Sequence, residues 1–175
     1  RPAEAIRRGT ALVPENRKTE GLVLDAALWR NVTLPHLRRR RLVAPQAMRA
    51  LAGPVLARLS TRYGSLDQAA RQLSGGNQQK LVLAKWILDG SRLLLLDEPS
   101  RGLDVGAKAD LYALVRALAD AGAAVIVASS ELDELYAACD TIWVFHEGRN
   151  ISCFDPSATE RDTILKASIL GMEAA

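Results

Sequence analysis

Cysteine is nearly absent from these 175 residues: there are two, Cys139 and Cys153, and they show no ligand spacing. That sets aside a thiolate metal site and a disulfide framework, and makes a reducing compartment the expected setting. Long apolar runs are missing too. None approaches the ~18–20 residues a membrane-crossing helix needs, and no signal-peptide pattern is visible. Aromatic residues are only 5% of the chain, and none interleaves the basic run Arg38–Arg41. With a net charge of only +3, nucleic acid is the least favoured partner for that run. A solvated helix end is the plain reading of the four arginines, and acidic protein loops or lipid headgroups are the next. Also absent is GxxxxGKS or GxxxxGKT, the glycine-rich loop that cradles β- and γ-phosphates.

What is present is a folding composition. Apolar residues make up 49% and charged residues 25%, values of a chain that buries a core rather than one that stays disordered. At this length a single domain is the simplest expectation.

The stretch Leu73–Asp104, LSGGNQQKLVLAKWILDGSRLLLLDEPSRGLD, organises the rest. Ser74, Gly75 and Gly76 are expected to form a turn ahead of a helix, with glycine permitting close ligand approach and positive φ. A helix N-terminus suits a phosphate, and Ser74 can add a hydroxyl donor; taken alone, a Ser-Gly-Gly is more often an ordinary loop. The apolar residues from Leu81 to Leu88 cover most helix faces, which predicts a buried helix over about 77–88, ended by Asp89-Gly90. Leu93–Leu96 then reads as a central parallel strand covered on both faces. Ligands collect at the carboxyl ends of such strands, where Asp97 and Glu98 stand. Asp97 suits a phosphate-bound Mg²⁺, and Glu98 suits polarisation of an attacking water.

Together LSGGNQQK, LLLLDEP and SRGLD resemble the signature, Walker B and D-loop series of ABC-type ATPases. NQQK and RGLDVGAK are similar to the second nucleotide-binding half of duplicated ATP-binding subunits of ribose/galactose/xylose-type sugar importers, and the likeness runs from about Ala3 to Gly148. The resemblance implies an α/β, P-loop NTPase-like ABC ATPase domain with a helical signature subdomain, N-terminally truncated so that the P-loop strand and helix are missing. Its parts would be 1–24, a core remnant with the Q-loop; 25–90, the helical subdomain with the signature; and 91–175, the core with Walker B, D-loop and switch region.

The ligands implied are ATP and Mg²⁺. Ser74, Gly75, Gly76, Gln78 and Asp104 would be nucleotide-binding, with the Ser-Gly-Gly turn acting in trans on ATP held by the opposing half. Asp97 would hold the metal and Glu98 would be catalytic, both serving the chain's own half. Glu15, in VPENRK, stands where the Q-loop glutamine is usual; it can still ligate Mg²⁺ but brings a negative charge near phosphate. Ser130 stands at the position of the switch histidine and can donate one hydrogen bond without bridging γ-phosphate and carboxylate. The site served by Glu15 and Ser130 is therefore expected to be the less orthodox of the two.

The implied partners are membrane permease subunits, the other nucleotide-binding half of the same chain and, indirectly, a periplasmic sugar-binding protein. The implied location is the cytoplasmic face of a bacterial inner membrane. Alternatives are a degenerate, non-catalytic docking or regulatory half, or a soluble ABC ATPase acting on ribosomes or DNA; the long coiled coils of DNA-repair members are not found here, and ribosomal members resemble NQQK and RGLDVGAK less.

Elsewhere the pattern predicts a helix over 2–8, a strand over 10–13 and a polar loop over 14–18. Helical pieces follow over 28–41 and 46–59, broken near Ala44-Pro45. Asp104 is expected to cap a helix over 105–120, followed by a strand over 123–128. A hairpin over 141–145 and 149–154 and a terminal helix over 157–170 complete the chain, with His146 as a strand-end residue.

Overall fold

Three apolar runs from distant parts of the sequence form one parallel sheet in the computed structural model, which describes residues 1–39 and 43–171. Strands β1 (Thr10–Val13), β2 (Leu93–Asp97) and β3 (Ala124–Ala128) lie in the order β1-β2-β3, with Val13 opposite Leu96 and Leu96 opposite Val127. Two units follow from the packing, 1–128 and 129–175.

In the first unit, α1 (Pro2–Arg7) leads into β1. Gly9 sits between them at φ +86° and its carbonyl accepts from Arg92 N at 2.7 Å, which sets the register of β1 against β2. The helices α2 (Leu28–Thr33), α3 (Pro45–Arg58) and α4 (Gly75–Asp89) build the main core, in which Leu28, Val32, Met48, Leu56, Leu81 and Leu83 are almost fully buried. Helix α4 is the buried helix the sequence predicts. It ends at Gly90 in the left-handed conformation, φ +78°, as a side-chain-free residue permits. Helix α5 (Val105–Asp120) buries Leu111 and Val115 and stops ahead of Gly122, φ +94°.

Several expectations need correction. Gly75 and Gly76 are not a turn ahead of the helix but its first two residues, and neither has positive φ. The predicted helix over 28–41 ends at Thr33, because Pro35 has no N–H to continue the ladder; a short 3₁₀ segment, Pro35–Arg39, replaces it. Arg40 and Arg41 of the basic run lie outside the described residues, and so do the side chains of Arg38 and Arg39. The loop after β1 tightens into a π-type turn, Arg17–Gly21, whose Lys18 and Thr19 amides donate to the Asn16 side chain. The central strand is not covered on both faces. Leu94 and Leu96 are buried, but Leu12 and Ile126, which flank Leu95 in register on the other face, are 52% and 58% exposed.

The second unit contains α6 (Leu132–Ala138), the antiparallel strands β4 (Ile142–His146) and β5 (Arg149–Phe154), and α7 (Arg161–Leu170). Glu147 and Gly148 join the strands with φ of +47° and +76°, the pair of left-handed residues a type I′ hairpin turn demands. Ile142, Val144, Phe154, Ile164 and Ala167 form its core. Helix α7 starts later than predicted because Asp155 draws the amide and hydroxyl of Ser157 into a turn, at 2.8 and 2.7 Å. Those bonds hold the Asp155 carboxyl below its ordinary range.

Candidate functional site

The carboxyl end of β2 is shaped by the turn that follows it. Asp97 is exposed at the strand end, and Glu98, half-buried, lies at φ +42°. A non-glycine residue in this region costs of order 1 kcal/mol and persists only where the surroundings over-determine it. Here they do. Glu98 N donates to Ala128 O on the neighbouring strand at 2.8 Å, Arg101 N donates back to Glu98 O at 3.1 Å, and Leu103 N donates to Ser100 O at 3.1 Å. Pro99 and Ser100 are buried beneath. The turn leaves two consecutive carboxylates at the edge of the sheet.

A second element approaches this turn. Ser74 is the N-cap of α4, and Asn77 Nδ2 donates to its Oγ at 2.9 Å, so the hydroxyl proton remains to be given elsewhere. The first backbone amide bonded back to the cap belongs to Gln78, reaching Ser74 O at 2.9 Å. The amides of Gly75, Gly76 and Asn77 accordingly have no acceptor within the helix and point along the positive end of a 15-residue dipole. The glycines are required by packing. A Cβ on Gly75 would stand 2.9 Å from Arg17 Nη2, and one on Gly76 would stand 2.9 Å from Ala107 Cβ. Gln78 is turned inward, its Nε2 donating to Ala70 O at 3.3 Å, and it is only 4% exposed.

Glu15 lies at the open end of β1 and pairs with Arg101 of the turn after β2. The negative charge expected there therefore has a counter-charge. Two residues on, Arg17 is buried and donates from Nη1 to Arg101 O at 2.8 Å and from Nη2 to Gly102 O at 3.4 Å. Burial lowers its pKa. Neither Arg17 nor Arg101 stood out in the sequence. The local signal was a basic residue four positions past a strand end, which is indistinguishable from a solvated charge until the fold brings residues 84 positions apart together.

Asp104 caps α5, accepting from Ala107 N at 2.9 Å, so the Ala107 that closes over Gly76 is itself fixed by Asp104. Ser130 belongs to the second unit, exposed and just ahead of α6. Its neighbour Ser129 donates to Glu134 and accepts from Glu131 N at 3.1 Å. His146 Nδ1 lies 3.0 Å from Ser168 O, and a Cβ on Gly171 would fall 2.7 Å from its ring, which makes it a packing residue at the strand end.

Beside the helices, an apolar groove of about 390 Å³ is lined by residues including Val23, Trp29, Arg30, Leu34, Leu37 and Val43. Its wall is stiffened at Trp29, whose indole N–H donates to Asp67 at 3.0 Å while Arg49 grips both oxygens of the same carboxylate. The Arg49 hydrogen bond is the main cause of the lowered Asp67 pKa. No helix among the described residues is long and apolar enough to cross a membrane.

Comparison with known proteins bears on this arrangement. The ABC transporter family profile matches residues 4–101. The ribose import ATP-binding protein RbsA of Chromobacterium violaceum is 44% identical over 97% of this chain and 34% of its own length. That of Bacillus subtilis is 44% identical over 85% of this chain and 31% of its own. The chain thus spans about a third of the length of these relatives. Among solved structures, an ATP-binding cassette of an ABC transporter in its ADP conformation shares the fold, with a TM-score of 0.73 over 95% of this chain and 67% of that one, at 17% identity. A strand-end Asp-Glu pair, a Ser-Gly-Gly helix start packed on the turn after it, and a profile match over more than half the chain agree: the chain belongs to the ABC transporter family, as part of an ATP-binding domain.

Proposed function

We propose that this chain is part of the ATP-hydrolysing motor of a bacterial ABC importer that takes up a ribose-type sugar. The observation that carries the reading is the turn 98–103, whose hydrogen bonds hold Asp97 and Glu98 at the strand end while its far side rests near the start of α4.

The residues present fit the ligands such a motor uses. Among the described residues no group of three or more His, Cys, Asp or Glu could hold a metal unaided. Mg²⁺ is commonly held by one or two carboxylates together with phosphate and water, and Asp97, exposed at the strand end, is the carboxylate offered. Mg-ATP supplies the scissile phosphoanhydride and a charge-neutralising cation. Glu98 orients and polarises the attacking water. Ser74, Gly75 and Gly76 present a hydroxyl and backbone amides to the γ-phosphate of a nucleotide held by the opposing half, where fixed donors stabilise developing charge. Gln78, facing inward, supports the helix rather than touching nucleotide.

Glu15, tethered to Arg101, occupies the Q-loop position, and Ser130 the switch position, where it donates one hydrogen bond. The groove over Trp29 and Leu34 is the docking place of a permease loop. This puts the motor on the cytoplasmic face of the membrane, with a periplasmic binding protein supplying the sugar through the permease. Ribose is favoured by the similar import proteins.

Separate replacement in the full-length subunit assembled with its permease tests the reading. Glu98→Gln and Ser74→Ala act on different sites, so unequal losses are expected, with Glu98→Gln reducing its own site's hydrolysis by about a hundredfold or more while nucleotide binding persists. Hydrolysis unchanged by Glu98→Gln would support a docking or regulatory half instead, the alternative favoured by Ser130.

A further inference from the structure

We infer that Arg17 is a positioning residue: it clasps the turn after β2 to the first turn of α4 and so sets how the phosphate-facing end of that helix is presented. The inference rests on the phosphate-facing role proposed for Ser74–Gly76.

Two hydrogen bonds and one close approach converge on this guanidinium. Nη1 takes the carbonyl of Arg101 at 2.8 Å and Nη2 that of Gly102 at 3.4 Å. Nη2 also fills the space a Cβ on Gly75 would need, at 2.9 Å. The side chain is aimed from below by its own turn, in which Asn16 holds the Lys18 and Thr19 amides. On the outside, the Glu15 carboxylate pairs with the Arg101 side chain, so residues 15 and 17 grip the same turn by its side chain and by its backbone.

The two grips are not equal. Glu15 and Arg101 are 41% and 68% exposed at their side chains, and a pair in that setting contributes little by itself. Arg17 is 8% exposed, and a buried charge donating to two carbonyls is held in one geometry by the desolvation cost of any other. Its Nε has no partner among the described residues. The hydrogen bonds this charge makes among the described residues are the Nη contacts to the turn, which couples the turn and the guanidinium to each other. A lysine would reach as far but lacks the planar fork that spans two adjacent carbonyls. The consequence for Gly75 is that a Cβ there would come within 2.9 Å of Nη2, so an alanine could enter only if the Arg17 fork gave up its place on the turn.

The experiment is a double-mutant cycle in the full-length subunit with its permease, using Arg17→Met, Arg17→Lys, Gly75→Ala and the pair Arg17→Met/Gly75→Ala. ATP turnover is read as kcat and KM, and amide hydrogen exchange is read over residues 100–104. Arg17→Met is expected to lower kcat about tenfold with KM within about twofold, as loss of alignment does, and to speed exchange at residues 101–103 about tenfold. Arg17→Lys, the milder variant and the one kept if Arg17→Met does not fold, should fall between. Gly75→Ala should be damaging in the wild-type background but add less than about twofold to Arg17→Met, because the colliding group is gone.

Independent, multiplying effects of the two substitutions would overturn the clasp, as would unchanged exchange over 101–103 in either Arg17 variant. If the wild-type assembly hydrolyses no ATP, the motor reading fails. The exchange arm still decides whether Arg17 holds the turn.

Discussion

At the scale of single residues, Lys85 carries the largest electrostatic consequence outside the site. It lies inside α4, 7% exposed, with its ammonium donating to the Gly21 carbonyl, and burial lowers its pKa to about 8 from 10.5. The folded chain therefore gives up this proton before the unfolded chain does. Between those two values the unfolded state binds more protons, so stability rises with pH in that window and is lost again as pH falls through the folded value. Relative to Lys85→Met, the wild type should gain up to about 3 kcal/mol between pH 8 and 10.5. Denaturant unfolding of both proteins across that range checks this, and parallel pH profiles would refute it. Nothing local to Lys85 marks it as buried, since a lysine on a helix can as well extend to water. Glu98 is the opposite case: its place at a strand end beside Asp97 and Pro99 is legible in the sequence, but its left-handed backbone is not, because the bond to Ala128 is made across strands.

Helix ends are the best test at the scale of elements, since local chemistry sets them. Asp104 caps α5 through Ala107 N, and Asp104→Ala should cost about 1 kcal/mol, with Asp104→Ser recovering most of it. Urea midpoints at constant m-value measure both. Since Ala107 also closes over Gly76, a larger loss would show that the cap also holds the α4–α5 contact. Gly90 and Gly122 terminate their helices where the sequence places the stops, because the left-handed requirement is a property of the residue itself. The region after Thr33 departs from its sequence pattern for a related reason. The apolar spacing there is helical, but the missing N–H of Pro35 outweighs spacing. The Ser-Gly-Gly segment departs in the other direction. Glycine suggests an open turn, yet here it allows two neighbours to press against a helix start.

For the whole molecule, the exposed row of Leu12 and Ile126 on one sheet face contrasts with the buried row of Leu94 and Leu96 on the other. The features proposed to face phosphate are likewise one-sided: a helix start and two carboxylates, with no GxxxxGKS or GxxxxGKT loop in the sequence. The 175 residues alone should accordingly bind Mg-ATP more weakly than about 100 μM. Calorimetric titration of the purified chain is the measurement, and low-micromolar affinity would show that the missing loop is not needed for binding.

The sequence by itself determined the family, most of the strands and helices though not α6, and the strand-end and helix-start places of Asp97, Glu98, Ser74 and Asp104. Each of these depends on residues within a few positions of one another, where spacing, caps and turn chemistry act. Only the tertiary structure decided that Glu15 has a counter-charge in Arg101, that Arg17 is buried against the carbonyls of Arg101 and Gly102, and that the Arg17 fork lies close against Gly75. Those contacts join segments tens of residues apart. Their energies come from desolvation and from steric exclusion, and neither exists until the core has closed around them.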